Sequence, residues 1–135
     1  MSASAPNGSG NVSGSGRRVT FPRSARLLRH ADFERVYKQG RRHFAAHMTV
    51  FYLARAEGAG LRIGFTVGRV LGGAVQRNHM KRRLREVVRL QRPAVSAAVD
   101  VVINPKKSLL TADFAEVQKD VRRAFEVIRK SAERG

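Results

Sequence analysis

The feature that most constrains this chain is an amphipathic segment that begins at Ala74 with the sequence AVQRNHMKRRLRE. At the helical period, one side of this segment is made for burial and carries Met80, Leu84, Val87, Val88 and Gln91. The other side, which we call the cationic face, carries Arg77 at its boundary and then Asn78, Lys81, Arg82, Arg85 and Arg89. The segment therefore requires a hydrophobic core on one side and presents a row of cations on the other.

The cationic face is denser in charge than an ordinary solvated helix face. Between Gly72 and Arg92 the chain has seven Lys and Arg against one acid, Glu86. Like charges one turn apart repel each other and destabilise a helix unless a counter-charge neutralises them. A row of phosphates is the natural counter-charge, and the alternatives are a solvated face, an anionic lipid surface and an acidic protein.

The composition of the whole chain points to the same class of partner. The 135 residues include 27 Lys and Arg against 10 Asp and Glu, a formal net charge of +17. Such a charge favours salt-dependent binding to RNA or DNA. The chain has no cysteine, which excludes disulfides and thiolate metal sites and fits a cytoplasmic location. No segment approaches the about 20 apolar residues of a membrane span, so no membrane partner is expected.

The chain divides into a tail and one small domain. Residues 1–18 begin with the Ser- and Gly-rich sequence MSASAPNGSGNVSGSG, which has almost nothing to bury, and we expect this tail to be disordered. Residues 19–130 form the predicted domain. Residues 131–135 are expected to be a frayed C-terminus.

Periodicity and turn residues predict seven elements within that domain. The elements before the basic helix are a helix over 31–39 that ends at Gly40, and strands over 42–44, 48–54 and 61–68. The later elements are the basic helix from 74 to a stop near Pro93, a strand over 99–103 and a last helix. The order αβββαβα predicts fold class α+β, a sandwich of one sheet with helices.

The last helix has both a predicted start and a predicted buried stripe. Thr111 is a candidate cap, with Asp113 in the first turn. The residues expected along the inner stripe are Phe114, Val117, Val121, Phe125 and Ile128.

The sequence has no motif for catalysis by the protein itself. Its acids form no paired-carboxylate signature, and no HExxH, EF-hand or P-loop sequence is present. The glycines of GRVLGG at 68–73 indicate either a close approach of backbone to RNA or a plain strand-to-helix turn. His43 and His47 lack a third ligand of suitable spacing, so we expect solvent-exposed or RNA-facing imidazoles and no metal site.

The central motif and its flanking elements resemble a known family. The stretch RIGFTVGRVLGGAVQRNHMKRRLRE, preceded by DFERVYKQG and followed by VDVVIN, resembles the protein subunit of bacterial ribonuclease P. The likeness extends from Leu27 to Ile128. That family has an Arg-Asn-Arg type signature on its basic helix, which here reads Arg77, Asn78, His79. Its Ser-Lys-Lys type sequence is replaced here by Val67, Gly68, Arg69, which leaves one cation where two are common.

The resemblance implies a fold and a function. The fold is a ribonuclease P protein-like four-stranded sheet with a left-handed βαβ crossover around the basic helix, against the usual right-handed rule. The function is that of a subunit of an endoribonuclease: the RNA subunit and its bound Mg²⁺ hydrolyse the phosphodiester at the mature 5′ end of precursor tRNA. The protein would contribute no catalytic residue. Its implied partners are the ribonuclease P RNA and precursor tRNA, and no obligate protein partner is evident.

The resemblance also implies two sets of binding residues. Contacts to the RNA subunit fall to Arg69, Arg77, Asn78, His79, Lys81, Arg82, Arg85 and Arg89. The 5′ leader of precursor tRNA would be bound by Phe33, Tyr37, Tyr52, Arg62 and Lys106, because single-stranded RNA stacks its bases on aromatic rings beside cations. For the three aromatic residues the alternative is the hydrophobic core. The remaining aromatic residues, assigned to core or sheet packing, are Phe44, Phe51, Phe65, Phe114 and Phe125.

Two other function classes fit the charge and size of the chain. A ribosomal protein or general RNA chaperone would need no leader site and no dedicated RNA partner. A DNA-compacting protein would bind duplex DNA and structured RNA with comparable affinity. Specificity for one RNA distinguishes these classes from a ribonuclease P subunit.

Overall fold

The structure is a computed structural model that describes residues 26, 29–56, 58, 60–91 and 97–133. The helices of this part of the chain are α1 (His30–Gln39), α2 (Ala74–Gln91) and α3 (Phe114–Glu133). The strands are β1 (Arg41–Phe44), β2 (Met48–Ala54), β3 (Leu61–Phe65) and β4 (Val99–Pro105). The predicted order αβββαβα is confirmed. The predicted disordered tail and the stop at Pro93 lie outside the described residues.

The four strands form one mixed sheet in the order β1-β2-β4-β3. β2 pairs antiparallel with both β1 and β4, whereas β3 and β4 pair in parallel. The two strands that flank α2 are therefore parallel neighbours, as the resemblance implied. β1 is one edge of the sheet, and β3 at the other edge forms an isolated bridge from Ile63 to Arg26.

The main core lies between one face of the sheet and helices α2 and α3. Because side chains alternate along a strand, every second residue of β2 and β4 enters this core: Met48, Val50, Tyr52, Val99, Val101 and Ile103. From the helices it receives Met80, Leu84, Val87, Val88, Val117, Val121, Phe125 and Ile128. The predicted buried side of α2 is thus confirmed, except that Gln91 is only half-buried.

Within the described residues, the opposite face of the sheet is covered in part by α1. Val36 of α1 and Val102 of β4 are fully buried there, with Phe33, Phe51 and Leu53 packed against them. The helix ends at Gly40, where a Cβ would lie 2.5 Å from the carbonyl oxygen of Val36 and 2.6 Å from that of Tyr52. The glycine predicted as a helix stop is therefore required by the close approach of α1 to β2.

The start of α3 differs from the prediction. Thr111 ends a 3-10 turn, Lys107–Leu110, by donating its backbone N–H to Ser108. The carbonyl of Asp113 accepts from Glu116 and Val117, so the helix begins at Phe114. The predicted cap at Thr111 is wrong because a turn that the sequence pattern did not show occupies that segment. Phe114 is also not on the inner stripe, since 38% of it is exposed at the first helical position.

Candidate nucleic-acid interface

The cationic face of α2 is open to solvent over most of its length. Asn78, Arg82 and Arg85 are exposed, as is His79, whereas Arg77, Lys81 and Arg89 are half-buried. Arg77 donates from Nε to the carbonyl of Gly72, 3.2 Å away, which anchors it at the start of the helix. Arg89 pairs with Glu86 one turn before it. The structure therefore presents the predicted cations together on one surface.

One cation of α2 has a structural role that the sequence did not show. Arg83 donates to the backbone carbonyl of Leu109 at 2.6 Å, to that of Leu110 at 3.3 Å and to that of Ala112. These hydrogen bonds satisfy the end of the 3-10 turn and attach it to α2. Only part of the charge in the α2 segment is thus available to a ligand.

Arg85 lies in a region of concentrated positive charge. Partial burial lowers the pKa of Arg85, and the nearby charge of Arg26 lowers it further. Neither arginine forms an ion pair within the part of the chain that the structure describes. Guanidinium groups remain charged at neutral pH, so a bound phosphate would relieve this repulsion.

The loop between β3 and α2 consists mostly of apolar residues and glycine. It contains the 3-10 turn Arg69–Leu71, and Gly72 follows with φ 139°. Arg69 is exposed, and so are Val70 (89%) and Val75 (78%) beside it. Val67 packs against the main core. Arg69 is therefore the only side-chain cation in the described loop from Thr66 to Gly73.

Aromatic side chains line the face of the sheet beside α1. Tyr37 is 37% exposed, and its ring meets the ring of Phe51 edge-on, with centroids 4.8 Å apart at 89°. The Tyr37 hydroxyl is 2.6 Å from Oγ1 of Thr66 and donates to Oδ1 of Asn104 at 2.9 Å. The guanidinium of Arg42 lies 5.9 Å from the centre of the Phe51 ring. We call Phe33, Tyr37, Arg42 and Phe51 the aromatic surface.

The placement of Tyr52 in the leader site is corrected by the structure. Tyr52 is 9% exposed and belongs to the main core, on the opposite face of the sheet from Phe33 and Tyr37. Phe51, which the sequence reasoning assigned to core or sheet packing, lies beside Tyr37 instead. Period-2 alternation makes Phe51 and Tyr52 point to opposite faces, but the sequence did not show which face is open.

Arg62 is bound within the protein. Its Nε and Nη2 donate to the two carboxylate oxygens of Asp100 at 2.8 Å each, and its side chain is 31% exposed. Arg55 donates to the same carboxylate at 3.0 Å, and Arg35 reaches it at 3.4 Å. Arg62 thus has a structural partner that its predicted role in leader binding did not include. Asp100, the acid within VDVVIN, was the signal in the sequence that could have revealed it.

Asp100 is fully buried and remains ionised because of these arginines. Burial by itself raises the pKa of Asp100, but the hydrogen bonds and charges of Arg62 and Arg55 outweigh it, and the net pKa is below the ordinary value. The same hydrogen bond raises the pKa of Arg62. The cluster therefore joins β3, β4 and the end of β2 through charge-assisted hydrogen bonds.

Lys106 and the two histidines lie at the opposite end of the strands from Asp100. Nζ of exposed Lys106 donates to the carbonyl of Ala45 at 3.0 Å. His47 is bonded to Ser108 and Glu116 through its ring, while His43 is half-buried on β1. Among the residues described, no three His, Asp or Glu side chains converge on a possible metal site. No described helix combines the length and the apolar character that crossing a membrane requires.

The fold and the row of cations on α2 define a small basic α+β protein of the nucleic-acid-binding class. The sequence model of the family described as Ribonuclease P matches residues 21–129. The chain belongs to this family, and its function is that of the protein subunit of ribonuclease P.

Relatives and solved structures agree with this assignment. The ribonuclease P protein component of Desulfovibrio desulfuricans is 40% identical over 108 residues, which cover 78% of this chain and 83% of that protein. That of Geobacter sp. strain M21 is 37% identical over 82% of this chain and 93% of the relative. The ribonuclease P proteins of Staphylococcus aureus (TM-score 0.69, 25% identity, 78% of this chain, 95% of that one) and Thermotoga maritima (0.66, 27%, 73%, 93%) share the fold.

Proposed function

We propose that this protein binds two RNAs with two different surfaces. The cationic face of α2 docks on the ribonuclease P RNA, and the aromatic surface binds the 5′ leader of precursor tRNA. The observation that carries this proposal is the separation of the surfaces. The cations lie on a helix that packs against one face of the sheet, whereas Tyr37 and Phe51 lie on the other face.

The cationic face suits an RNA backbone because its contacts are electrostatic and need no particular base. Each Lys or Arg that neutralises a phosphate releases counterions and makes binding depend on salt. Arg85 and Arg26, which form no ion pair among the described residues, favour a phosphate at the β3 edge of the sheet. Asn78 and His79 add hydrogen-bonding groups within the row.

The aromatic surface suits single-stranded RNA because every base can stack on a ring. Tyr37 is held in place by Thr66 and Asn104, so its ring loses little conformational freedom when a base binds. Arg42 beside Phe51 supplies a cation for a phosphate. Lys106 keeps two further ammonium hydrogens available at the same end of β4 as Asn104.

The catalytic chemistry in this proposal belongs to the RNA subunit and its bound Mg²⁺. The acids nearest the two surfaces are bound to cations of the protein: Asp100 to the arginines, Asp32 to Arg35 and Glu86 to Arg89. These carboxylates are already engaged by cations of the protein. The protein contributes by holding the leader in a fixed position relative to the RNA subunit. We expect it to act in the cytoplasm, with precursor tRNA as its substrate.

Reconstitution tests this proposal directly. The protein is mixed with a bacterial ribonuclease P RNA at low Mg²⁺, and cleavage of precursor tRNA is measured with and without it. We expect the protein to restore cleavage at the mature 5′ end and to favour precursor over mature tRNA. A general RNA chaperone would instead assist unrelated structured RNAs equally, and that result would contradict the proposal.

A further inference from the structure

A pocket lies at the β1 edge of the sheet and includes Ala45, whose carbonyl accepts from Lys106. Its volume is about 390 Å³, within the range of about 300–1,000 Å³ that is typical of small-ligand sites. It is formed where the turn between β1 and β2 meets α3. The residues that line it are His43, Phe44, Ala45, Ala46, His47, Glu116, Lys119, Asp120 and Arg123. We call this the β1 pocket.

The two acids that line the β1 pocket, Glu116 and Asp120, both contact His47. The backbone N–H of His47 donates to Oδ2 of Asp120 at 3.0 Å, and Nε2 lies 2.9 Å from Oε1 of Glu116. An ionised carboxylate only accepts, so Nε2 carries the proton in this contact. The Oγ of Ser108 is 2.8 Å from Nδ1. This network fixes the turn against α3, and one oxygen of each carboxylate is engaged by His47.

The two cations of the β1 pocket, Lys119 and Arg123, have no such partner among the residues that the structure describes. Lys119 and Arg123 are exposed and stand one helical turn apart on α3. Neither forms an ion pair within the described part of the chain. Two cations one turn apart repel each other, and a phosphate between them would remove that cost.

Phe44 connects this pocket to the aromatic surface. It is 67% exposed and stands opposite Thr49, which stands opposite Asn104, the residue that accepts from the Tyr37 hydroxyl. Two strand spacings of about 4.8 Å each separate Phe44 from Asn104, or about 10 Å. Arg42, two residues earlier on β1, already contacts Phe51. Aromatic and cationic groups thus continue across the sheet to its β1 edge.

The direction of this path follows from the strand order. α2 begins just after β3, and β3 and β1 are opposite edges of the sheet. RNA that leaves the region of the cationic face and crosses the aromatic surface therefore reaches β1 last. In the proposed function the RNA subunit, which cleaves the RNA, docks on the cationic face, so the nucleotides that reach β1 are those farther from the cleavage site.

We propose that the β1 edge is a second leader subsite, where a distal leader nucleotide stacks on Phe44 and its phosphate is bound by Lys119 and Arg123. The ligand class is single-stranded RNA. This inference rests on the proposed function, because it extends the same leader. A base and a phosphate together account for a pocket lined by one exposed ring and by two cations that form no ion pair among the described residues. Neither free phosphate nor an apolar peptide would use these groups in full.

The test uses the reconstituted holoenzyme and precursor tRNAs whose leaders are lengthened one nucleotide at a time. Affinity is measured for Phe44→Ala and for the double variant Lys119→Ala/Arg123→Ala. We expect both to match the unmodified protein with short leaders and to bind less tightly once the leader passes a threshold length. Beyond it, Phe44→Ala should lose about 5-fold or more in affinity. The double variant should flatten the log-log salt dependence by about 0.7 per cation.

Matched variants separate this effect from general losses. Phe114→Ala removes another exposed phenylalanine, and Arg122→Ala removes a neighbouring cation of α3 that does not line the pocket. Neither should show a length threshold. Thermal unfolding of every variant checks that the fold is intact.

Two results would overturn the inference: no loss at any leader length, or equal losses for all leaders and for mature tRNA. Tyr37→Ala distinguishes this failure from failure of the proposed function. If Tyr37→Ala still weakens binding of short-leader precursors, the leader site stands and only the β1 subsite is lost. If it has no leader-dependent effect, the proposed function itself fails.

Discussion

The cationic face and the aromatic surface are built in opposite ways. The cationic face comes from one continuous helix, so its residues are neighbours in sequence and in space. The aromatic surface is assembled from α1, β1 and β2, and Tyr37 reaches Asn104 across 67 positions of the chain. A surface on one helix can be predicted from local periodicity, whereas a surface made by strand register depends on which face of the sheet remains open.

The largest effect tests the cationic face. Replacing Arg77, Lys81, Arg82 and Arg85 together with Ala should weaken binding to the ribonuclease P RNA on the order of a thousand-fold. The log-log salt slope should fall by about 0.7 to 0.9 for each cation removed. Filter binding over a salt series measures both quantities, and circular dichroism checks the fold. An unchanged slope in a folded variant would remove the cationic face from the RNA interface.

The second effect tests the cluster of arginines around Asp100. Asp100→Ala should cost about 3 to 5 kcal/mol of stability, because it leaves Arg62 and Arg55 partly buried without their counter-charge. Denaturant unfolding measures this loss. A difference below about 1 kcal/mol would show that water replaces the carboxylate at little cost.

The lowered pKa of Asp100 predicts how the stability of the protein depends on pH. Its pKa in the folded protein lies below the unfolded value, so its contribution is complete above the unfolded pKa of about 3.9 and disappears as pH falls through the folded pKa. Asp100→Asn should therefore flatten the loss of stability below about pH 4. If the free energy of unfolding of Asp100→Asn falls as steeply below about pH 4 as that of the unmodified protein, Asp100 does not have this role.

The third effect separates the two faces of β2. Tyr37→Ala and Phe51→Ala should weaken binding of precursor tRNA by about 1 to 3 kcal/mol each and leave mature tRNA unaffected. Tyr37→Phe, which keeps the ring, is the matched control. Tyr52→Ala should instead destabilise the fold by about 3 to 5 kcal/mol, the range for a large core ring. A leader-specific loss in a fully stable Tyr52→Ala protein would place Tyr52 in the leader site after all.

The smallest effect tests whether the cationic face uses more than charge. Asn78 is exposed and uncharged within the row, and its amide can both donate and accept. Asn78→Ala should weaken assembly with the RNA subunit by about 1 kcal/mol, the net value of one hydrogen bond, without changing the salt slope. Assembly equal to that of the unmodified protein would assign the docking to electrostatics alone.

The sequence by itself determined the order of the elements and the cationic face. The spacing of Met80, Leu84, Val87 and Val88 marks the buried side of α2, and the cations on the opposite side follow from the same helical period. The resemblance added the parallel pairing of β3 with β4, which no local pattern contains. These features depend on neighbours in the chain, or on a family already known, and the structure agrees with them.

Only the tertiary structure decided which residues form the second surface. A shift of one residue moves a strand's side chains to the other face, so Phe51 and Tyr52 exchange roles according to how β2 is covered by helices. The roles of Arg62 and Arg83 depend on partners 38 and 26 or more residues away, Asp100 and the carbonyls before α3. The sequence does not distinguish a cation with a structural partner from one that is free to bind RNA. That difference depends on the carboxylates and carbonyls that folding places beside each cation.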